Sequence, residues 1–306
     1  MTILFSLSAG KNTVCTIKRC LNVLKYNPND ILIVNCDVGI DKISLETSLS
    51  EYINTRFYIN PIPRTPNRFR HNILEAHCVN YTYIRDKNIV FDTIYLISDQ
   101  DMFFKYGLSK LVKNYHAGFL ICSNYIKPTN YKQIGFAGDF YINQKKDPFC
   151  IYGILENKQI TRVVSEQIEG SFYCRMLFEK MLQYLESFPI HYTKIEAANC
   201  EEFVFGNLYI NIFQDEFPIH LPISTIFRHD TIVDYPDELF NIITRQKERQ
   251  SMISSNAYES FHMYTYGIKR VKYQENLDKK VDDIITKAKV YLREVGADNS
   301  LDINPE

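Results

Sequence analysis

Asp99 and Asp101 stand two residues apart where the apolar run Tyr95-Leu96-Ile97 stops, in the segment Ser98-Asp99-Gln100-Asp101. Carboxylates so spaced at a strand end can hold Mg²⁺ or Mn²⁺ beside the oxygens of a nucleotide diphosphate, because hard divalent cations take carboxylate and phosphate oxygens together. Aspartates also build ordinary turns, and the triplet alone leaves both readings open. Two other apolar runs stop in the same manner. The first, Ile3-Leu4-Phe5, reaches Ser8-Ala9-Gly10, and Ile31-Leu32-Ile33-Val34 ends at Asn35-Cys36-Asp37. Ligands of open α/β sheets bind at the carboxyl ends of strands, so Ser8, Gly10, Asp37, Ser98, Asp99 and Asp101 are the first residues to consider.

The elements needed to position them are legible as a pattern. Residues 3–8 predict a strand, and Val14, Ile17, Leu21 and Leu24 repeat with the spacing of one helical face. A turn at Asn27-Pro28-Asn29-Asp30 leads into the continuous apolar run 31–34, of the kind buried in parallel sheets. Further strands are predicted at 56–59, 93–97, 118–122 and 208–213, and helices at 67–83, 105–114, 171–187, 200–208, 236–250 and 275–294. Short aromatic and β-branched stretches between 123 and 165 read as antiparallel hairpins. Strands alternating with helices favour an α/β fold, a doubly wound and mostly parallel sheet flanked by helices, with a small antiparallel hairpin region and a helical C-terminal extension. Residues 1–215 form the main domain in this reading. Residues 216–306 pack on it, and about the last ten are frayed.

Two more stretches complete a series: Glu169-Gly170-Ser171-Phe172-Tyr173-Cys174-Arg175 and Glu201-Glu202-Phe203-Val204-Phe205-Gly206. Together with Phe57-Tyr58-Ile59-Asn60-Pro61 and the segment ending in Asp101, they occur in an order that resembles the core-2/I-branching N-acetylglucosaminyltransferases and the related peptide O-xylosyltransferases. The resemblance covers roughly residues 1–210 with a weak C-terminal match. Each motif is short, and their order carries the weight. It implies a GT-A nucleotide-sugar fold and a glycosyltransferase, of hexosyl or pentosyl type, that moves a sugar from a UDP-sugar to a glycan hydroxyl with inversion.

By that resemblance Glu202 is the general base, and Gly170 and Ser171 open a helix beside the nucleotide sugar. A carboxylate suits the role, since partial burial raises its pKa toward neutrality. Asn199 and Glu202 also make a capping-box pattern, in which the acid merely satisfies backbone N–H groups; both readings place it at a helix N-terminus. The family works without metal and sets basic side chains against the leaving diphosphate. Tyr266-Gly267-Ile268-Lys269-Arg270-Val271-Lys272 resembles its aromatic-x-basic-basic-hydrophobic element, which makes Arg270, with Lys269 beside it, the counterpart. By the same resemblance a second basic group would come from the region of Arg245, Lys247 and Arg249, although these residues read more readily as a solvated helix face.

Two departures matter. Asp99 stands where the family has glycine, which leaves a requirement for Mn²⁺ or Mg²⁺ open. The membrane anchor of animal members has no counterpart at the start of the sequence, which points to a cytoplasmic enzyme of bacterial or viral type building a surface glycan. Peripheral contact with a membrane stays open. The tyrosines and phenylalanines of 123–152 offer either an acceptor platform or core.

Composition narrows the field. The chain has 306 residues, 45% apolar and 23% charged, and 35 basic against 36 acidic residues give a formal net charge of −1, so no global field draws it to nucleic acid. No apolar run reaches the roughly 18 residues of a membrane-spanning helix. The eight cysteines form no C-x-x-C pair and read as reduced core thiols. H-x-x-H, H-E-x-x-H, G-x-S-x-G, Walker and G-x-G-x-x-G patterns are all missing, which removes the commonest competing enzymes. Three readings remain: a metal-independent inverting transferase, a transferase with a cation on Asp99 and Asp101, and a non-catalytic nucleotide- or glycan-binding module.

Overall fold

The computed structural model describes residues 1–10, 12–63, 72–126, 162–187, 201–233, 240, 244, 266–271 and 277–294. Its elements begin with β1 (Ile3–Ala9), α1 (Thr13–Tyr26), β2 (Ile31–Cys36), α2 (Lys42–Ser48), β3 (Phe57–Ile59), α3 (Asn72–Asp86) and β4 (Thr93–Ser98). After these come β5 (Met102–Phe103), α4 (Leu108–Val112), β6 (Ala117–Ile126), β7 (Arg162–Cys174), α5 (Arg175–Glu186) and α6 (Glu201–Leu208). A π-helical turn (Tyr209–Phe213), β8 (His220–Leu221), β9 (Ile226–Val233), β10 (Gly267–Val271) and α7 (Leu277–Glu294) complete the chain.

Every residue of β1 and β2 is buried, the condition of strands covered on both faces. They lie at the centre of a seven-stranded sheet in the order β3-β2-β1-β4-β7-β6-β8. β3, β2, β1 and β4 are mutually parallel, β7 runs antiparallel to both neighbours, and β8 is parallel to β6. The mostly parallel α/β sheet flanked by helices is therefore as the sequence predicts. One apolar layer joins Phe5, Leu7 and Tyr95 to α1, α2, α4 and α7; the other joins Leu4, Ile94 and Tyr173 to α3, α5 and α6. Ile284, Ile285 and Ala288 of α7 belong to the first layer, and Lys25 reaches Asp282 at 2.6 Å.

The order places a topological switch point between β1 and β4. From β1 the chain moves outward to β2 and β3, then crosses back to β4 on the other side, leaving a crevice at their carboxyl ends. A second sheet, β5-β10-β9, stands beside β4's end, with β10 antiparallel to β5 and parallel to β9.

Several expectations are corrected. Gly170 and Ser171 do not open a helix; they lie in β7, and α5 begins at Arg175. The alternation of a strand sends Phe172 into one apolar layer and Tyr173 into the other, burying two aromatics that a helix turn would crowd onto adjoining faces. Residues 209–213 continue α6 as a π-helical turn instead of forming a strand, because β8 takes the sheet edge beside β6 and Tyr209 is buried on the helical side. The helix predicted over 105–114 is the shorter α4, preceded by β5. β9, α2 and the strand character of 267–271 were not marked by any local signal. Residues 127–161, all of the helix predicted over 236–250 but 240 and 244, Asn199 and the terminal tail lie outside the described residues.

Candidate functional site

The loops after β1 and β4 are built as one piece. β1 and β4 pair in register down to Ser8 and Ser98, and the Gly10 backbone N–H then donates to Asp99 Oδ2 at 2.9 Å. The Asp99 carbonyl is held from α1, accepting from Arg19 Nε at 3.3 Å and Cys15 Sγ at 3.4 Å. Asn12 caps α1 by accepting from the Cys15 N–H, which fixes the turn between β1 and that helix. Asp37 joins the same edge, its N–H donating to the Ala9 carbonyl at 2.9 Å.

Asp101 is 1% exposed. Its Oδ2 accepts from the Ser98 backbone N–H at 2.7 Å and from the Ser98 hydroxyl at 3.2 Å, reaching back three residues as the acid of a capping box does, which closes the loop. Its Oδ1 is buried without a hydrogen-bond partner among the described residues. Burial pushes the Asp101 carboxyl up to about 8, and the charge of Glu169 adds to the rise; Lys269 and the Ser98 bonds pull the other way.

The charges of Glu169 and Lys269 act on Asp101, and Glu169 is brought to this place by a bulge in β7. Gly118 faces Phe172 but Leu120 faces Gln167, so a step of two residues on β6 is met by a step of five on β7. The excess segment is closed by the Ser171 hydroxyl donating to the Gln167 carbonyl at 2.7 Å and by Gln167 Nε2 donating to the Glu169 carbonyl at 3.0 Å. Gly170 has φ +86°, and a Cβ there would meet Ser224 Oγ at 2.7 Å and Ile226 N at 2.9 Å, so only glycine fits. Bulges re-aim side chains, and this one delivers Glu169 to the ammonium of Lys269 on β10 in a largely buried ion pair. Thr225 braces the bulge, bonded to the Gly170 carbonyl at 3.1 Å and to the Tyr95 hydroxyl.

Glu202 is half-buried in the first turn of α6. α6 packs on the part of β7 that runs on past the carboxyl end of β4, since β7 pairs with β4 only over 172–174. The charge of Glu202 acts on Glu166 of β7, which is 1% exposed. Burial pushes the Glu166 carboxyl up to about 8, opposed by the Tyr173 hydroxyl and the Gly206 N–H that it accepts.

Ser8, Gly10, Asp37, Ser98, Asp99 and Asp101 thus share one edge of the sheet, the charge of Lys269 acts on Asp101, and Gly170 and Ser171 shape the strand between them. Arg270 follows Lys269 in β10, but its side chain lies outside the described residues. The sequence reading missed Glu166 and Glu169 as site residues, and with them Gln167 and Arg19. The spacing Glu166-x-x-Glu169 within a β-branched and aromatic stretch was the available signal, since acids in buried strands are rare unless paired.

For a divalent cation the donor chemistry is partial. Asp99 and Asp101 supply carboxylates and Asp101 Oδ1 is an orphaned oxygen, yet among the described residues no group of three His, Cys, Asp or Glu side chains could hold a metal ion. Two carboxylates fit a site that substrate phosphate and water complete, the usual arrangement for Mg²⁺. The cysteines are free thiols where described, buried at Cys15, Cys20, Cys36 and Cys78 but exposed at Cys122, which corrects the expectation of core positions there. Among the described residues no helix is long and apolar enough to cross a membrane.

What the fold and the edge define is an open α/β protein whose switch-point edge gathers polar and acidic side chains. No protein-family model matches the chain, and no curated protein matches it. Among solved structures it is similar to an active-site mutant of LgtC, at 10% identity and TM-score 0.41, over 100% of this chain and 98% of that one. It is similar also to the mannosyltransferase PcManGT from Pyrobaculum calidifontis in complex with GDP-Man and Mn²⁺, at 9% identity and TM-score 0.41, over 98% and 76%. A third is the mannosyltransferase Ktr4p from S. cerevisiae in complex with GDP, at 12% identity and TM-score 0.35, over 72% and 69%. Likenesses this distant assign neither a family nor an activity.

Proposed function

We propose that this chain is an inverting glycosyltransferase that moves a sugar from a UDP-sugar to a hydroxyl of a glycan acceptor, with Glu202 as general base. The observation that carries the reading is the gathering of polar groups at the switch-point edge: the Gly10 N–H on the Asp99 carboxylate, the buried Asp101 closing its loop on Ser98, and the Glu169–Lys269 ion pair, whose charges act on Asp101. A crevice at the carboxyl ends of β1 and β4 suits a nucleotide. Lys269, and Arg270 after it, would meet the negative charge that grows on the leaving diphosphate, in a setting with little water to screen it. Glu202, on the helix over the projecting part of β7, would take the proton of the acceptor hydroxyl as its oxygen attacks the anomeric carbon and the bond to the diphosphate breaks on the opposite face. The proton passes to Glu202 and the electron pair of the broken bond to the diphosphate.

The orphaned Asp101 Oδ1 favours a second reading, in which Asp99 and Asp101 would hold Mn²⁺ or Mg²⁺ with the donor. The ion would supply neutralisation of the diphosphate.

The test pairs UDP-sugar turnover with the Glu202→Gln variant. Under the first reading that variant keeps UDP binding by calorimetry and loses transfer by a factor of order a hundred, and the product carries the inverted anomeric configuration by NMR. Retained transfer in Glu202→Gln removes the mechanism. A wild-type protein that binds UDP but consumes no UDP-sugar across a broad acceptor panel is a binding module instead.

A further inference from the structure

Glu166 is a fully buried acid that the scheme above does not use. Its two oxygens are both engaged: Oε1 accepts the Gly206 backbone N–H at 2.8 Å, and Oε2 accepts the Tyr173 hydroxyl at 2.8 Å. Gly206 lies four residues after Glu202, on the same face of α6 one turn along. An α-helix normally gives the N–H of residue 206 to the carbonyl of residue 202; here a carboxylate from β7 takes a share of it.

The glycine gives this contact its room. A Cβ at Gly206 would stand 3.2 Å from Glu166 Cδ and 3.3 Å from its Oε2, so any side chain there would press on the carboxyl. One residue on, Asn207 completes the attachment. Its Oδ1 accepts from the Val164 N–H at 3.0 Å and its Nδ2 donates to the Val164 carbonyl at 2.7 Å, as a neighbouring strand would. α6 is therefore fastened to β7 at two successive residues, one turn beyond the turn that carries Glu202.

We propose that Glu166 is the positioning residue for Glu202: by accepting the Gly206 N–H it fastens α6 to β7 one turn beyond the base, and so fixes where Glu202 stands. This rests on the reading of Glu202 as base. Among the described residues the groups facing Glu166 are Tyr173 from its own strand, and Glu202 and the Gly206 N–H from α6. Glu166 is 1% exposed, so the bond it makes to α6 is shielded from water.

The test uses the full chain in wild-type, Glu166→Gln and Glu166→Ala forms, with two readouts. Amide hydrogen exchange is expected to find the α6 amides around Gly206 protected in wild type and exchanging about tenfold or more faster in Glu166→Ala. In turnover, Glu166→Ala is expected to lose kcat by about tenfold or more while the donor KM moves less than about twofold, and the isosteric Glu166→Gln to recover kcat to within about threefold of wild type. An Ala variant with wild-type kcat, or with unchanged exchange along α6, overturns the proposal. If the protein transfers no sugar at all, the reading of Glu202 as base fails, and the exchange measurement still decides by itself whether Glu166 fastens α6.

Discussion

Gly10 and Asp99 are 89 residues apart, and the backbone N–H of the first donates to the carboxylate of the second at 2.9 Å. This bond ties the loop leaving β1 to the loop leaving β4, so the crevice at the switch point is set by one contact between a main-chain donor and a 3% exposed acid. The Asp99 carbonyl is anchored to Arg19 and Cys15 of α1, so neither loop can shift without disturbing that helix.

Replacing Asp99 with Ala leaves the Gly10 N–H unpaired at the edge of the crevice. Loss of a hydrogen bond to a buried charged acceptor costs about 2 kcal/mol. Urea unfolding of Asp99→Ala is expected to give that loss, with a donor KM raised about tenfold or more by the loosened loops. Wild-type values for both would show that the bond does not organise the edge.

Chelation distinguishes the two ways of meeting the diphosphate charge. If Lys269 and its neighbour in β10 carry that task, UDP-sugar turnover after extensive EDTA treatment stays within about twofold of the untreated protein. Abolished turnover, restored by Mn²⁺ or Mg²⁺, would give the charge to Asp99 and Asp101 with a metal.

Gly170→Ala tests the bulge. The substitution places a methyl group against Ser224 and the Ile226 backbone at a residue with φ +86°. The expected penalty is about 1–3 kcal/mol, read as a lower urea midpoint at unchanged slope. An unchanged midpoint would mean that β7 does not need the left-handed residue to bring Glu169 to Lys269.

Asp101 sets a pH dependence with a definite sign. Its carboxyl is raised from an ordinary 3.8 to about 8 in the fold. The folded protein therefore keeps a proton that the unfolded chain has lost, and the associated stability is fully present below the unfolded pKa and falls away as pH rises toward 8. Asp101→Asn, the isostere of the protonated acid, is expected to flatten the decline in unfolding free energy between about pH 4 and 8. A variant with the same slope as wild type would place the titration elsewhere.

The central sheet could be read from the chain because its signal is local. Ile31–Val34 and Tyr95–Ile97 are continuous apolar runs, and such runs have one low-energy fate in a chain of alternating strands and helices. The segments that were misread carry ambiguous local patterns. Phe172 and Tyr173 fit a helix or a strand by type, and pairing with β4 on one side and β6 on the other decides the outcome. Residues 209–213 have the composition of a strand, but the sheet edge is already taken by β8.

The sequence by itself determined the polar stops at Ser8, Asp37 and Ser98–Asp101, because a residue ending a buried strand in a parallel sheet falls at the carboxyl edge whatever its long-range partners. Only the tertiary structure decided that Glu169 meets Lys269, that Glu166 faces Glu202, and that Gly10 holds Asp99. Those pairs are 100, 36 and 89 residues apart or close to it in the chain. Contacts over such separations depend on sheet order and on a bulge of three extra residues in β7, neither of which leaves a mark in local residue type.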